Sequence, residues 1–69
     1  MALSYNKLWK LLIDKRMSKA ELRHLADIAH NTMTKLNKEQ PVSMDVLCRI
    51  CETLKVDFPD IMEYIQERR

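Results

Sequence analysis

Not one of the 69 residues of this chain is glycine, and only two are proline. Loops that cradle a phosphate need glycine for close backbone approach, so a nucleotide-binding loop of that kind is excluded. The chain also shows no sustained alternation of β-branched residues, while apolar residues recur at three- and four-residue spacing. This combination predicts an all-α fold, a compact bundle of helices. At this length the bundle is a single domain spanning residues 1–69. Such a domain buries only about 60% of its unfolded surface, so its core is thin.

Five helices are expected. The first covers residues 5–16 behind a Ser4 cap, and its apolar residues Tyr5, Leu8, Trp9, Leu11, Leu12 and Ile13 take up more than half the circumference. One core stripe needs less. Trp9 and Ile13 therefore call for a further cover, either the C-terminal segment or a second copy of the chain. Helix 2 is placed at about 19–26 and helix 3 at about 30–38. A loop at 39–42 contains Pro41, and Ser43 caps helix 4, with Asp45 in its first turn. Leu47, Ile50, Cys51 and Leu54 form the inward face of that helix. Val56 and Phe58 turn the corner, and Pro59 suits the first turn of a fifth helix carrying Ile61, Met62 and Ile65.

Residues 18–37, SKAELRHLADIAHNTMTKLN, say most about function. Ser18 is a good N-cap and Glu21, three residues on, completes a capping box. Leu22 and Leu25 are expected to point inward, Ala26 and Asp27 to break the helix, and Ile28 to plug the corner. Met33 and Leu36 supply the apolar side of the next helix. That leaves His30, Asn31, Thr34, Lys35 and Lys38 outside, a short cationic face without an acid. Such a face suits base edges or phosphates better than an apolar partner.

This spacing resembles the Cro/cI-like phage repressor helix-turn-helix of the XRE-type regulators. Ser18, Leu22, Ile28, Thr32, Met33, Thr34, Lys35 and Leu36 fall on matching positions, and the flanking segments LWKLLIDKRM and VSMDVLCRICETLKVDFPDIMEYI look like the family's other helices. Four positions depart from the pattern. Arg23 stands in place of a small residue, Asp27 in place of the turn glycine, Ala29 in place of a Ser or Thr cap, and Asn37 in place of a common Glu. Asp tolerates the left-handed conformation better than most residues, and losing a cap typically costs ~1 kcal/mol.

The resemblance implies a lambda-repressor-like five-helix domain, with helices 2 and 3 forming the motif and helix 3 in the major groove of double-stranded DNA. His30, Asn31 and Thr34 would then meet bases, since Asn can bond adenine twice and Thr offers a hydroxyl and a methyl to thymine. Lys35 and Lys38 would reach phosphates. Ser18 and Lys19 at the start of helix 2, and Gln40 and Ser43 before helix 4, would do the same through side chains and free N–H groups. Resembling proteins bind as two-fold homodimers on near-palindromic sites. Trp9, Met62, Tyr64 and Ile65 are the candidates for that interface, because helices 1 and 5 carry spare apolar surface.

Charge agrees. Residues 1–40 hold eight Lys or Arg against four acids, and residues 41–69 hold four against six, so the motif lies in the basic half. MALSYNKLWKLL lacks the long apolar core of a secretory leader, and no run of about eighteen apolar residues could span a membrane. A cytoplasmic protein of the prokaryotic or phage type is expected. Cys48 and Cys51 form a C-x-x-C, yet both sit inside a helix that reads well without them, and His24 and His30, the remaining candidate ligands, lie on the opposite flank. Cys51 is expected to pack as a small hydrophobe. No metal, cofactor or small-molecule substrate is expected, and Asp57 and Asp60 look like turn chemistry rather than an acid–base pair.

The chain thus reads as a non-enzymatic, sequence-specific transcriptional regulator, a repressor working by operator occupancy. The alternative is a protein-interaction module of the same fold, antitoxin-like or an adaptor without DNA contact, favoured by the departures at Arg23, Asp27 and Ala29.

Overall fold

The structure is a computed structural model and describes residues 3–66. Four α-helices follow one another: α1 (Asn6–Asp14), α2 (Lys19–Leu25), α3 (His30–Asn37) and α4 (Met44–Leu54). A 3-10 turn (Phe58–Asp60) comes next, and two short strands, β1 (Leu3–Ser4) and β2 (Glu63–Tyr64), pair antiparallel with Leu3 opposite Tyr64 and Ser4 opposite Glu63. The core gathers Tyr5, Leu8 and Leu12 of the first segment, Leu22, Ala26 and Ile28, then Met33 and Leu36, with Val46, Leu47, Ile50, Leu54 and Ile61 closing it.

The expected caps form. The Ser18 hydroxyl accepts from the Glu21 N–H at 3.0 Å, and the Glu21 carboxylate accepts from the Ser18 N–H at 3.1 Å. The Ser43 hydroxyl accepts from the Val46 N–H, satisfying one of the free donors that open α4. Around Pro59 the Asp60 carboxylate accepts from the Asp57 N–H at 3.0 Å, and the Asp57 carboxylate accepts from the Phe58 N–H at 2.8 Å.

Three expectations need correction. The fifth helix is absent: beyond the 3-10 turn the chain runs extended and pairs with the N-terminus. Ile61 is fully buried and anchors that departure, while Ile65 remains 46% exposed. A backbone partner at residues 3–4 takes up the hydrogen bonds of residues 63–64 and holds them extended. Leu25 is 62% exposed, and Ala26, four residues after Leu22, takes the inward position. The four-residue step lies closer to one helix face than the three-residue step. Finally, α1 begins one residue later and ends earlier than expected. Tyr5 is its N-cap without a side-chain cap bond, and the buried Ser4 hydroxyl accepts from the Asn6 N–H at 3.3 Å.

Each α-helix is followed by a residue with positive φ, and none of the four is glycine: Arg16, Asp27, Glu39 and Lys55, at 53–57°. After α1, for example, the Met17 N–H bonds back to the Leu12 carbonyl at 2.9 Å and the Arg16 N–H to the Ile13 carbonyl at 3.0 Å. That closure satisfies the last carbonyls of a helix but holds a side-chain-bearing residue where glycine is favoured. Arg16→Gly and Lys55→Gly are expected to raise stability by about 0.5–1 kcal/mol each. Relief of left-handed strain would exceed the extra chain entropy of glycine, and thermal unfolding of the two variants checks it.

Candidate nucleic-acid interface

The outer surface of α3 follows from its buried edge. Met33 and Leu36 point into the core at 6% and 0% exposure. With 100° between successive residues, Asn31, Thr34, Lys35 and Lys38 then fall within an arc of about 100° on the far side, with His30 flanking it. Asn31, Lys35, Lys38 and His30 are exposed, and Thr34 is half-buried. Thr34 has committed its proton: its hydroxyl donates to the His30 carbonyl at 3.2 Å, leaving its methyl group and an acceptor lone pair. At the start of α3, Ala29 is extended and supplies no side-chain cap. The first N–H groups of the helix therefore have no side-chain partner from the cap position.

The flanking candidates lie around this helix in different states. Ser18 is taken up in the capping box. The Lys19 ammonium donates to the Asn37 side-chain oxygen at 2.8 Å and sits 4.1 Å above the Trp9 ring, so one exposed lysine ties α1, α2 and the end of α3 together. A cation over an indole face is attracted by the ring quadrupole. Lys19 thus covers the half-buried Trp9, whereas Ile13 is 74% exposed with no such cover.

Gln40 is exposed, and its carbonyl accepts from the Tyr5 hydroxyl at 2.9 Å. Tyr5 thereby pins the loop between α3 and α4 to the start of α1, and burial raises its phenol above the ordinary tyrosine range. Of the residues considered for an interface between copies, Met62 is half-buried while Tyr64 and Ile65 are exposed beside the short sheet.

Sequence reasoning missed Arg49. Its guanidinium donates from Nη1 to the Asp27 carbonyl and from Nη2 to the Asp45 carboxylate, both at 2.6 Å. It joins α4 to the turn between α2 and α3. The Arg49–Asp45 spacing of four residues was a readable signal for the ion pair, but nothing local indicated the bond to Asp27. Cys51 is half-buried against the core and Cys48 exposed, both as free thiols. Burial pushes the Cys51 thiol up, with Asp57, Cys48 and Asp60 adding to the effect. Among the described residues, no group of three His, Cys, Asp or Glu side chains could hold a metal ion, and no helix is long and apolar enough to cross a membrane. A shallow groove of about 470 Å³ runs between α1 and the 3-10 turn, lined by residues such as Lys10, Leu11, Val56 and Pro59 and by none from α2 or α3.

A Cro/C1-type helix-turn-helix DNA-binding domain matches residues 7–67. The chain belongs to this family. A solved structure of the transcriptional regulator VanUg, in its crystal form II, superposes with a TM-score of 0.92 at 52% sequence identity, over 96% of this chain and 88% of that one. No curated protein matches the chain. The helices 2 and 3 to which the resemblance assigned the motif correspond here to α2 and α3, joined by residues 26–29. Among the described residues there are four α-helices, not the five that the resemblance implied.

Proposed function

We propose that this protein is a sequence-specific regulator of transcription that binds double-stranded DNA and represses by occupying its operator. The observation that carries the reading is the outer face of α3, polar, cationic and free of acid, presented on a helix whose other edge is locked into the core. Its membership of a DNA-binding family and its likeness to a transcriptional regulator support the same reading.

In this proposal α3 enters the major groove. Asn31 makes two bonds to a base edge, His30 meets a neighbouring base, and Thr34 contributes chiefly its methyl group, since its proton is held by the helix. Lys35 and Lys38 neutralise phosphates, as do Lys19, Gln40 and the N-terminal turns at Ser18 and Ser43. Two copies place their α3 helices one DNA turn apart, roughly 34–36 Å, on a near-palindromic site. Tyr64 and Ile65, with Met62, are the surface proposed to join them. Trp9 is a weaker candidate because Lys19 lies on its ring.

Amide NMR with a duplex about two helical turns long tests the whole reading. Shifts are expected at residues 18–19, 29–38 and 40–44, fading as salt rises to about 200 mM because bound phosphates release counterions. Saturation at two chains per duplex supports the dimer; one chain per duplex removes it. An absence of shifts at low salt, or shifts centred on α1 and β2, would replace the DNA reading with a protein-interaction role.

A further inference from the structure

We propose that Arg49 is a positioning residue for α3, holding the turn of the helix-turn-helix at the angle the DNA-reading face requires. This deepens the reading above and rests on α3 being the element that enters the groove. Three observations converge on the turn. Asp27 occupies it in the left-handed region, where a side chain is disfavoured. Ala29 opens α3 with no side-chain cap, so local bonds grip the start of that helix weakly. And the turn carbonyl, that of Asp27, accepts from a guanidinium brought in from a residue 22 positions later.

The geometry of the fork explains why arginine serves here. Nη1 reaches the Asp27 carbonyl while Nη2 holds the Asp45 carboxylate one turn back on α4, each at 2.6 Å. A planar guanidinium offers two such donors in fixed relation, which a lysine ammonium does not. Asp45 keeps the fork from swinging away, and charge assistance at both ends shortens the bonds. The anchor itself is firm, because α4 contributes Val46, Leu47, Ile50 and Leu54 to the core. Backbone bonds from Asp27 to His24 and from Ile28 to Arg23 close the end of α2, and Arg49 ties that closure to α4. The guanidinium also sits where the carbonyl end of α2 concentrates negative charge. With no glycine at the turn and no cap after it, the clamp from α4 supplies the constraint that local sequence lacks.

The test compares Arg49→Met, Arg49→Lys and Asp45→Asn in the full chain with two readouts. In the free protein, hydrogen exchange at the Asp27 and Ile28 amides is expected to speed up about tenfold or more in Arg49→Met, with the Ile50 and Leu54 amides unchanged. On DNA, affinity for the duplex that the wild type selects best is expected to fall about tenfold, with the salt dependence unaltered because Arg49 meets no phosphate. Arg49→Lys is expected to restore neither readout. Asp45→Asn should give a smaller change in the same direction, and it carries the test if Arg49→Met fails to fold.

The proposal is overturned if exchange rises uniformly across α4, which marks a general loss of stability. It is equally overturned if the salt slope falls by about one and lysine rescues binding, which marks Arg49 as a phosphate contact. If the wild type binds no DNA, the DNA reading fails by itself. Unchanged exchange at Asp27 and Ile28 would then sink the clamp separately.

Discussion

Asn31→Ala combined with Thr34→Ala is expected to erase the preference for one DNA sequence while leaving the fold and the salt-dependent, non-specific affinity in place. A bidentate contact from an asparagine to adenine discriminates by about 1–3 kcal/mol, and a dimer would lose it twice per site. Thr34 should contribute less, because its hydroxyl proton is already given to the His30 carbonyl. Thr34→Val, which keeps the methyl, should therefore cost less specificity than Thr34→Ala. Both residues lie away from the buried edge at Met33 and Leu36, so the thermal midpoint should move little. Competition binding between a selected duplex and random DNA measures the effect. A preserved preference in the double variant would remove α3 as the reading element.

Leu36→Ala is expected to have the larger effect on stability. The residue is fully buried and, with Met33, holds α3 against the rest of the core. Truncating a buried leucine costs about 2–5 kcal/mol through lost burial and the cavity left behind. A chain of this size has a total stability of only about 3–10 kcal/mol, so a substantial unfolded population should appear at room temperature. Urea unfolding followed by circular dichroism reads the change. Ile13→Ala and Leu25→Ala serve as controls. Spacing placed Leu25 inward and left Ile13 calling for a further cover; Ile13 is 74% and Leu25 62% exposed, and each truncation should shift stability by only about 0.5 kcal/mol or less. A large loss at Ile13 would mean that another surface covers it.

Leu25 and Ile13 also show where periodicity stops being informative. Leu22 fits a helical stripe with either Leu25 or Ala26, and the core takes Ala26, whose four-residue step keeps it closer to the face of Leu22. Residues 61–65 likewise offer apolar spacing compatible with a helix. An N-terminal strand partner decides that they run extended. Within the candidate interface, the polar outer face of α3 was legible because Met33 and Leu36 set its back edge three residues apart. The connections that hold that face were not. Lys19 to Asn37, Tyr5 to Gln40 and Arg49 to Asp27 join residues 18, 35 and 22 positions apart.

What the sequence by itself determined is what short-range chemistry governs: the Ser18–Glu21 box, the Ser43 cap, the Asp57–Asp60 turn, and four helices whose stripes recur within one or two turns. A side chain three or four residues from its partner meets it whatever the rest of the chain does. Tertiary structure alone decided that the tail pairs as a strand, that Lys19 lies on Trp9, and that Arg49 reaches the turn before α3. Those contacts exist only after helices distant in sequence have packed, because the energy that brings them together is burial of the shared core and carries no local signature.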